Sequence, residues 1–145
     1  MSTVLEVVAP RLLGPAVMVA AAIIVKGYAD VGDGFSAGVV VALAVALRYV
    51  TLGAERAELS LPLLRHAPVL AVSGLLLALV IGFVPVVVGD PPFTHWPPPG
   101  EPVIELGALE LTTAVAFDVG VFLLVAGALV ELIHQLARLV EGRRP

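Results

Sequence analysis

The chain has 145 residues, of which 59% are hydrophobic and 14% charged, and its mean hydropathy is +1.06. Soluble domains carry roughly 25% charged residues, and a chain this short has too little interior to bury so much apolar surface, so the composition excludes a soluble protein and indicates a membrane protein. The lack of cysteine excludes disulfides, and a net charge of −4 with eight Lys and Arg gives no basis for nucleic-acid binding.

Four apolar segments predict four transmembrane helices, at about residues 8–26, 34–52, 67–89 and 109–137. The first segment is read as a retained helix, because it lacks the basic beginning of a cleaved signal peptide. The third contains no charge, and Pro85 is expected to kink it near one end. No internal repeat or second domain is visible. We therefore expect an all-α, polytopic membrane protein that forms a single domain over residues 1–145.

The two longer connections differ in character. The segment Ala54–His66 is short and charged, and is expected to form an interfacial helix with its leucines facing lipid. The segment Gly89–Gly107 is rich in proline, which fixes φ, so we expect a stiff and extended loop. Its aromatic residues Phe93 and Trp96 suit the boundary between membrane and water.

The distribution of basic residues predicts the orientation. Four spans place both termini and the middle loop on one side of the membrane, and Lys26 is then the one basic residue on the other side. Because Lys and Arg are retained in the cytoplasm, we expect both termini to be cytoplasmic in a multi-pass protein of the plasma membrane. The basic residues assigned to the cytoplasmic side are Arg11, Arg48, Arg56, Arg65, Arg138, Arg143 and Arg144.

Asp118 is an acid inside the fourth apolar segment. A carboxylate in hydrocarbon is costly, so this side chain must face a polar partner rather than lipid. Two interpretations remain open: a relay or cation-coordinating group on an ion path, or a structural acid that fixes helix packing. Glu110 is expected in the first turn of the same helix, either as an acid favoured by the helix dipole or as the mouth of a polar path. Thr113, between the two acids, is a further candidate for that path.

The connection between the first two spans is glycine-rich and contains the candidate loop and packing residues Gly27, Gly32, Asp33, Gly34, Phe35 and Gly38. Glycine permits a tight backbone path, and the spacing of Gly34 and Gly38 is typical of closely packed membrane helices. Asp33 either caps the second helix or binds a cation. Lys26, another ion-path candidate, either extends to the membrane surface or pairs with Asp30 or with an acid of a partner.

No enzymatic site is expected. His66, His95 and His134 do not cluster in the sequence, and no nucleophile lies beside a base. The sequence therefore predicts neither a metal site nor a cofactor.

Several segments resemble a known family. Residues 27–35 are similar to the first-loop signature Gly-His-x-x-Pro-Gly-Gly-Gly-Phe of the MnhB family, which supplies one membrane subunit of Mrp-type multisubunit Na+/H+ antiporters. Residues 89–95 resemble the outer loop of that family, and residues 110–122 resemble its last-helix signature. The chain departs from the first signature at Tyr28, Val31 and Asp33, where the family usually has His, Pro and Gly.

The resemblance implies a small subunit that works only within a hetero-oligomeric membrane complex exchanging Na+ for H+. Its role is expected to be mainly structural, with a contribution to the ion path. The alternative is a subunit of the ion-translocating arm of a membrane-bound hydrogenase or a related redox complex similar to complex I. A third hypothesis is a self-sufficient transporter formed by copies of this chain.

Overall fold

A computed structural model describes residues 3–26, 32–98, 102, 104–106 and 109–141 of the chain. A short 3-10 turn spans Pro62–His66, and two short strands, β1 (Ile104–Leu106) and β2 (Leu109–Leu111), pair in an antiparallel ribbon. The α-helices are α1 (Thr3–Lys26), α2 (Asp33–Leu52), α3 (Ala54–Ser60), α4 (Ala67–Val87) and α5 (Thr113–Glu141).

Four of these helices are long and apolar enough to cross a membrane: α1, α2, α5, and α4 together with the turn before it. This confirms the prediction of an all-helical protein with four candidate spans, to which the β1–β2 ribbon is a minor addition. Hydrogen bonds within a helix satisfy the polar groups of its own backbone, which is why long apolar runs adopt this structure in a bilayer.

The spans form a row in the order α1, α2, α5, α4. Helices α2 and α5 run parallel, since Gly34 lies beside Asp118 near the start of both, and Tyr49 meets His134 near the end of both. Each outer helix runs antiparallel to its neighbour, as expected for spans joined consecutively. Within the described residues, α1 and α4 do not contact each other, so α2 and α5 form the centre of the row.

Glycines bring the central helices close together. A Cβ atom added to Gly38 of α2 would lie 2.9 Å from the Cβ atom of Val125, and one added to Gly127 of α5 would lie 2.6 Å from the carbonyl oxygen of Ala67. Real side chains do not tolerate such distances, so the helix backbones approach to a separation that only glycine permits. Much of the packing of α5 against both neighbours therefore depends on backbone contact.

The prediction that the fourth span begins at residue 109 is wrong. Residues 109–111 form β2, whose Glu110 lies opposite Glu105 of β1, so Glu110 is not a first-turn helix acid. The local sequence explains this, because apolar and acidic residues alternate in both strands with the period of two that a strand requires. Helix α5 begins instead at Thr113, after Thr112, whose Oγ1 accepts a hydrogen bond of 3.2 Å from the Val115 N–H, as an N-cap residue does.

Other boundaries shift by a few residues. The third span ends at Val87, and a turn follows at Val88 and Gly89, where Gly89 has a φ of 93° that favours glycine. Helix α5 continues to Glu141, beyond the predicted end at 137. The segment expected to form one interfacial helix is α3 followed by the 3-10 turn, because Pro62 cannot continue the hydrogen-bonding pattern of α3.

Candidate functional site

Asp118 lies on the face of α5 that packs against the beginning of α2, and only 2% of its surface is exposed. Its Oδ1 atom accepts a hydrogen bond of 3.1 Å from the backbone N–H of Gly32, the residue before the first turn of α2. The N-terminus of a helix carries a partial positive charge, so a carboxylate is favoured at this position. The polar group that answers this buried acid is thus the N-terminus of a neighbouring helix.

The backbone around Gly32 and Gly34 makes this contact possible. Gly32 has a φ of 136°, a conformation that favours glycine. A Cβ atom on Gly34 would lie 2.8 Å from the carbonyl carbon of Asp118 and closer still to its carbonyl oxygen. Together with Gly38 beside Val125, these residues form what we term the α2–α5 glycine contact, defined by Gly34 and Gly38 on α2 against Asp118 and Val125 on α5.

The remaining motif residues take separate positions. Asp33 is the first residue of α2 and not its N-cap, because Gly32 makes the turn and no side chain caps this helix end. Asp33 therefore contributes its charge to the first turn, where the helix dipole favours an acid. Phe35 points outward, with 59% of its surface exposed. Lys26 ends α1, but its side chain and the whole of Gly27 lie outside the described residues.

Thr113 fastens the proline-rich segment to the start of α5. Its hydroxyl accepts a hydrogen bond of 2.7 Å from the Trp96 N–H, and its own N–H donates to the Trp96 carbonyl oxygen at 2.9 Å. The Phe93 ring packs against Phe117, with 5.9 Å between ring centroids, and the Phe93 N–H donates to the Gly82 carbonyl oxygen at 2.7 Å. The loop thereby folds back over the ends of α4 and α5 near Asp118.

A second polar cluster, which was not predicted from the sequence, lies at the opposite end of the bundle. The Tyr49 hydroxyl lies 3.1 Å from His134 Nδ1, and that nitrogen lies 3.1 Å from Glu58 Oε1. Arg138 donates two hydrogen bonds to the Glu58 carboxylate, at 3.1 and 2.6 Å. The members come from α2, α3 and α5, so only the tertiary arrangement unites them, although the i, i+4 spacing of His134 and Arg138 was a usable signal.

Arg48 anchors the same end. Its guanidinium is buried and donates to Ser60 Oγ at 3.2 Å and to the Pro10 carbonyl oxygen, so that it joins α1, α2 and α3. Its Nε has no hydrogen-bond partner among the residues that the structure describes. The prediction that basic residues gather at one end is thus accompanied by a specific role for one of them in packing.

The two polar clusters are far apart. Asp118 and His134 are sixteen residues apart in α5, about 24 Å along the helix axis. The residues of α5 from Val119 to Val130 are all apolar or glycine. Within the described ranges, this stretch provides no chain of polar side chains from one cluster to the other.

Comparison with known proteins follows the same segments. A family model described as a domain related to the MnhB subunit of Na+/H+ antiporter matches residues 4–131. The chain is 33% identical over 111 residues to the B-type subunit of the Na(+)/H(+) antiporter of Alkalihalophilus pseudofirmus, covering 77% of this chain and 75% of that protein. The family match includes both the glycine-rich connection and Asp118, which confirms the resemblance found in the sequence. The chain therefore belongs to the MnhB family of Na+/H+ antiporter subunits.

Proposed function

We propose that this chain is an integral-membrane subunit of a multisubunit Na+/H+ antiporter and that its role in the complex is mainly structural. Membership of the MnhB family and the similarity to the corresponding antiporter subunit of Alkalihalophilus pseudofirmus support the assignment. Neither comparison favours the alternative of a redox-driven complex. The transported ions are Na+ and H+, the partners are the other membrane subunits, and residues 1–145 act as one membrane domain without enzymatic activity.

The observation that carries the structural role is the hydrogen bond between Asp118 and Gly32. The carboxylate is almost fully buried and is satisfied by a backbone N–H at a helix start, directly beside Gly34. In this position it joins α2 to α5 at the level where the two backbones are closest. A hydrogen bond to a charged group contributes about 1.5–3 kcal/mol, enough to fix the register of two helices.

Any contribution to the ion path is proposed to lie at the same end. Asp118, Thr113 at the start of α5, Glu110 in β2 and Lys26 at the end of α1 belong to segments that come together there, since β2 contacts both α1 and α5. The apolar stretch that separates them from His134 supports a path completed by other subunits. It also argues against a self-sufficient transporter formed by this chain alone.

The orientation is proposed from the same division of the molecule. The end with the Tyr49–His134 cluster also holds Arg48 and Arg138, and the Asp118 end holds the acidic connections. Retention of Lys and Arg in the cytoplasm supports cytoplasmic termini and an outward-facing Asp118 end in the plasma membrane.

Substitutions of Asp118 in the complete complex test the proposal. Asp118→Asn keeps an oxygen that accepts from Gly32, so subunit co-purification and Na+/H+ exchange per assembled complex in everted vesicles are expected to stay close to those of the unsubstituted protein. Asp118→Leu removes the acceptor and leaves a buried N–H unpaired, so the yield of assembled complex should fall. Asp33→Asn, at the same helix start but without a cap hydrogen bond, is the control. Loss of exchange by a fully assembled Asp118→Asn complex would instead place Asp118 on the ion path.

A further inference from the structure

Two cavities adjoin each other at the end of the bundle that holds His134. The first, of about 330 Å³, lies over α2 and α5 between α1 and α4 and is lined by apolar side chains such as Leu13, Val45 and Leu70. The second, of about 590 Å³, is lined on one side by charged residues of α3, α5 and the 3-10 turn. Leu61 and Leu64 line both cavities, so an apolar space and a polar space share one wall.

The charges of the second cavity are not all satisfied within the chain. Glu58 is paired with Arg138 and His134. Glu131 accepts a hydrogen bond of 2.7 Å from the neutral side chain of Gln135, but neither Glu131 nor Arg65 forms an ion pair within the described part of the chain. Among the residues that the structure describes, one cation and one anion without ionic partners therefore line the same space.

The position of these two charges corresponds to the edge of the bilayer. Arg65 lies just before the uncharged helix α4, and Glu131 immediately follows the long apolar stretch of α5. From Val130 to Phe122, both of which line the apolar cavity, α5 rises about 12 Å. The apolar cavity thus extends from the level of the two charges toward the middle of the membrane.

We propose that the two cavities together bind one phospholipid whose headgroup carries a phosphate and a primary ammonium, as in phosphatidylethanolamine. Arg65 binds the phosphate, Glu131 accepts a hydrogen bond from the ammonium, and an acyl chain occupies the apolar cavity. Charge complementarity selects this headgroup: an arginine binds phosphate oxygens with directed hydrogen bonds, whereas a quaternary ammonium has no N–H to donate to Glu131. An anionic headgroup without an amine would leave Glu131 without an ionic partner. The site needs only this chain and does not depend on the proposed transport function.

Lipid binding to the purified complex that contains the full chain tests this site. The complex is stripped of lipid in mild detergent and titrated with dioleoyl phosphatidylethanolamine, phosphatidylcholine or phosphatidylglycerol, and native mass spectrometry measures the bound fraction. We expect phosphatidylethanolamine to bind about tenfold more tightly than the other two, the size of effect typical of one hydrogen bond to a charged group. Arg65→Gln should weaken the binding of all three lipids, and Glu131→Gln should remove only the preference.

Two further variants separate binding from folding. Arg56→Gln changes an exposed arginine of α3 that does not line the cavity and should bind like the unsubstituted chain. Arg65→Lys keeps the positive charge and should retain binding if Arg65→Gln reduces assembly. Equal binding of the three lipids, or a preference that survives Glu131→Gln, would overturn the proposal. So would a map of the complex in which a helix of another subunit fills the apolar cavity.

Discussion

The substitution Gly34→Ala is the sharpest test of the α2–α5 glycine contact. The added Cβ atom would lie 2.8 Å from the carbonyl carbon and 3.0 Å from the Cα atom of Asp118. Non-bonded carbons are comfortable at about 3.5–4.0 Å, so the helices must separate locally by about 1 Å. The same movement would lengthen the 3.1 Å hydrogen bond between Gly32 and Asp118 beyond its useful range.

The expected cost follows from these two effects. Overpacking of a close contact costs about 1–3 kcal/mol, and an unpaired buried polar group about 1–3 kcal/mol more, whereas replacing a helical glycine by alanine returns up to about 1 kcal/mol. The net destabilisation is therefore roughly 2–5 kcal/mol, concentrated where the two halves of the chain meet.

Gly14→Ala is the matched control, because a Cβ atom at Gly14 of α1 would meet nothing within 4 Å. The thermal stability of the purified complex and the amount of partner subunit that co-purifies with each variant are measured side by side. Gly34→Ala should lower both, and Gly14→Ala should lower neither. If the two alanine variants behave alike, the close approach of α2 to α5 does not contribute to stability and the reasoning fails.

Two further substitutions probe the ends of α5. Thr112→Ala removes the N-cap and should cost about 1 kcal/mol, visible as faster hydrogen exchange in the first turn of α5, and Thr112→Ser should restore protection; unchanged exchange in Thr112→Ala would contradict the cap. Glu58→Gln removes the ion pair with Arg138, which is 62% exposed, so the loss should be only about 0.2–1 kcal/mol and should shrink at high salt. Glu55→Gln, an exposed acid of the same helix, is the control, and equal effects of the two variants on thermal stability would refute a role for the pair.

The spans could be predicted because the length and continuity of an apolar run are enough to identify a membrane helix. The start of the fourth span could not. Leu109 and Leu111 are as apolar as helix residues, and only their pairing with β1 shows that the acid between them belongs to a strand. The N-cap position of Thr112 was the local signal that separates the strand from α5.

The partner of Asp118 shows a similar limit. The sequence establishes that the carboxylate needs a polar neighbour, because the cost of burying it does not depend on the fold. The identity of that neighbour depends on α2 and α5 being adjacent and parallel, which no local pattern encodes. The Tyr49, His134 and Glu58 cluster escaped prediction for the same reason, since its members are joined only by helix packing.

The row of spans has a consequence for how the protein is made. Helices α1 and α2 form one hairpin of consecutive spans, α4 and α5 form another, and α2 and α5 provide the main contact between the two. The first hairpin can therefore enter the bilayer and pack while the ribosome is still translating the second. Because glycines leave flat surfaces between α2 and α5, the second hairpin can then dock by lateral diffusion, without any long side chain having to be threaded into place.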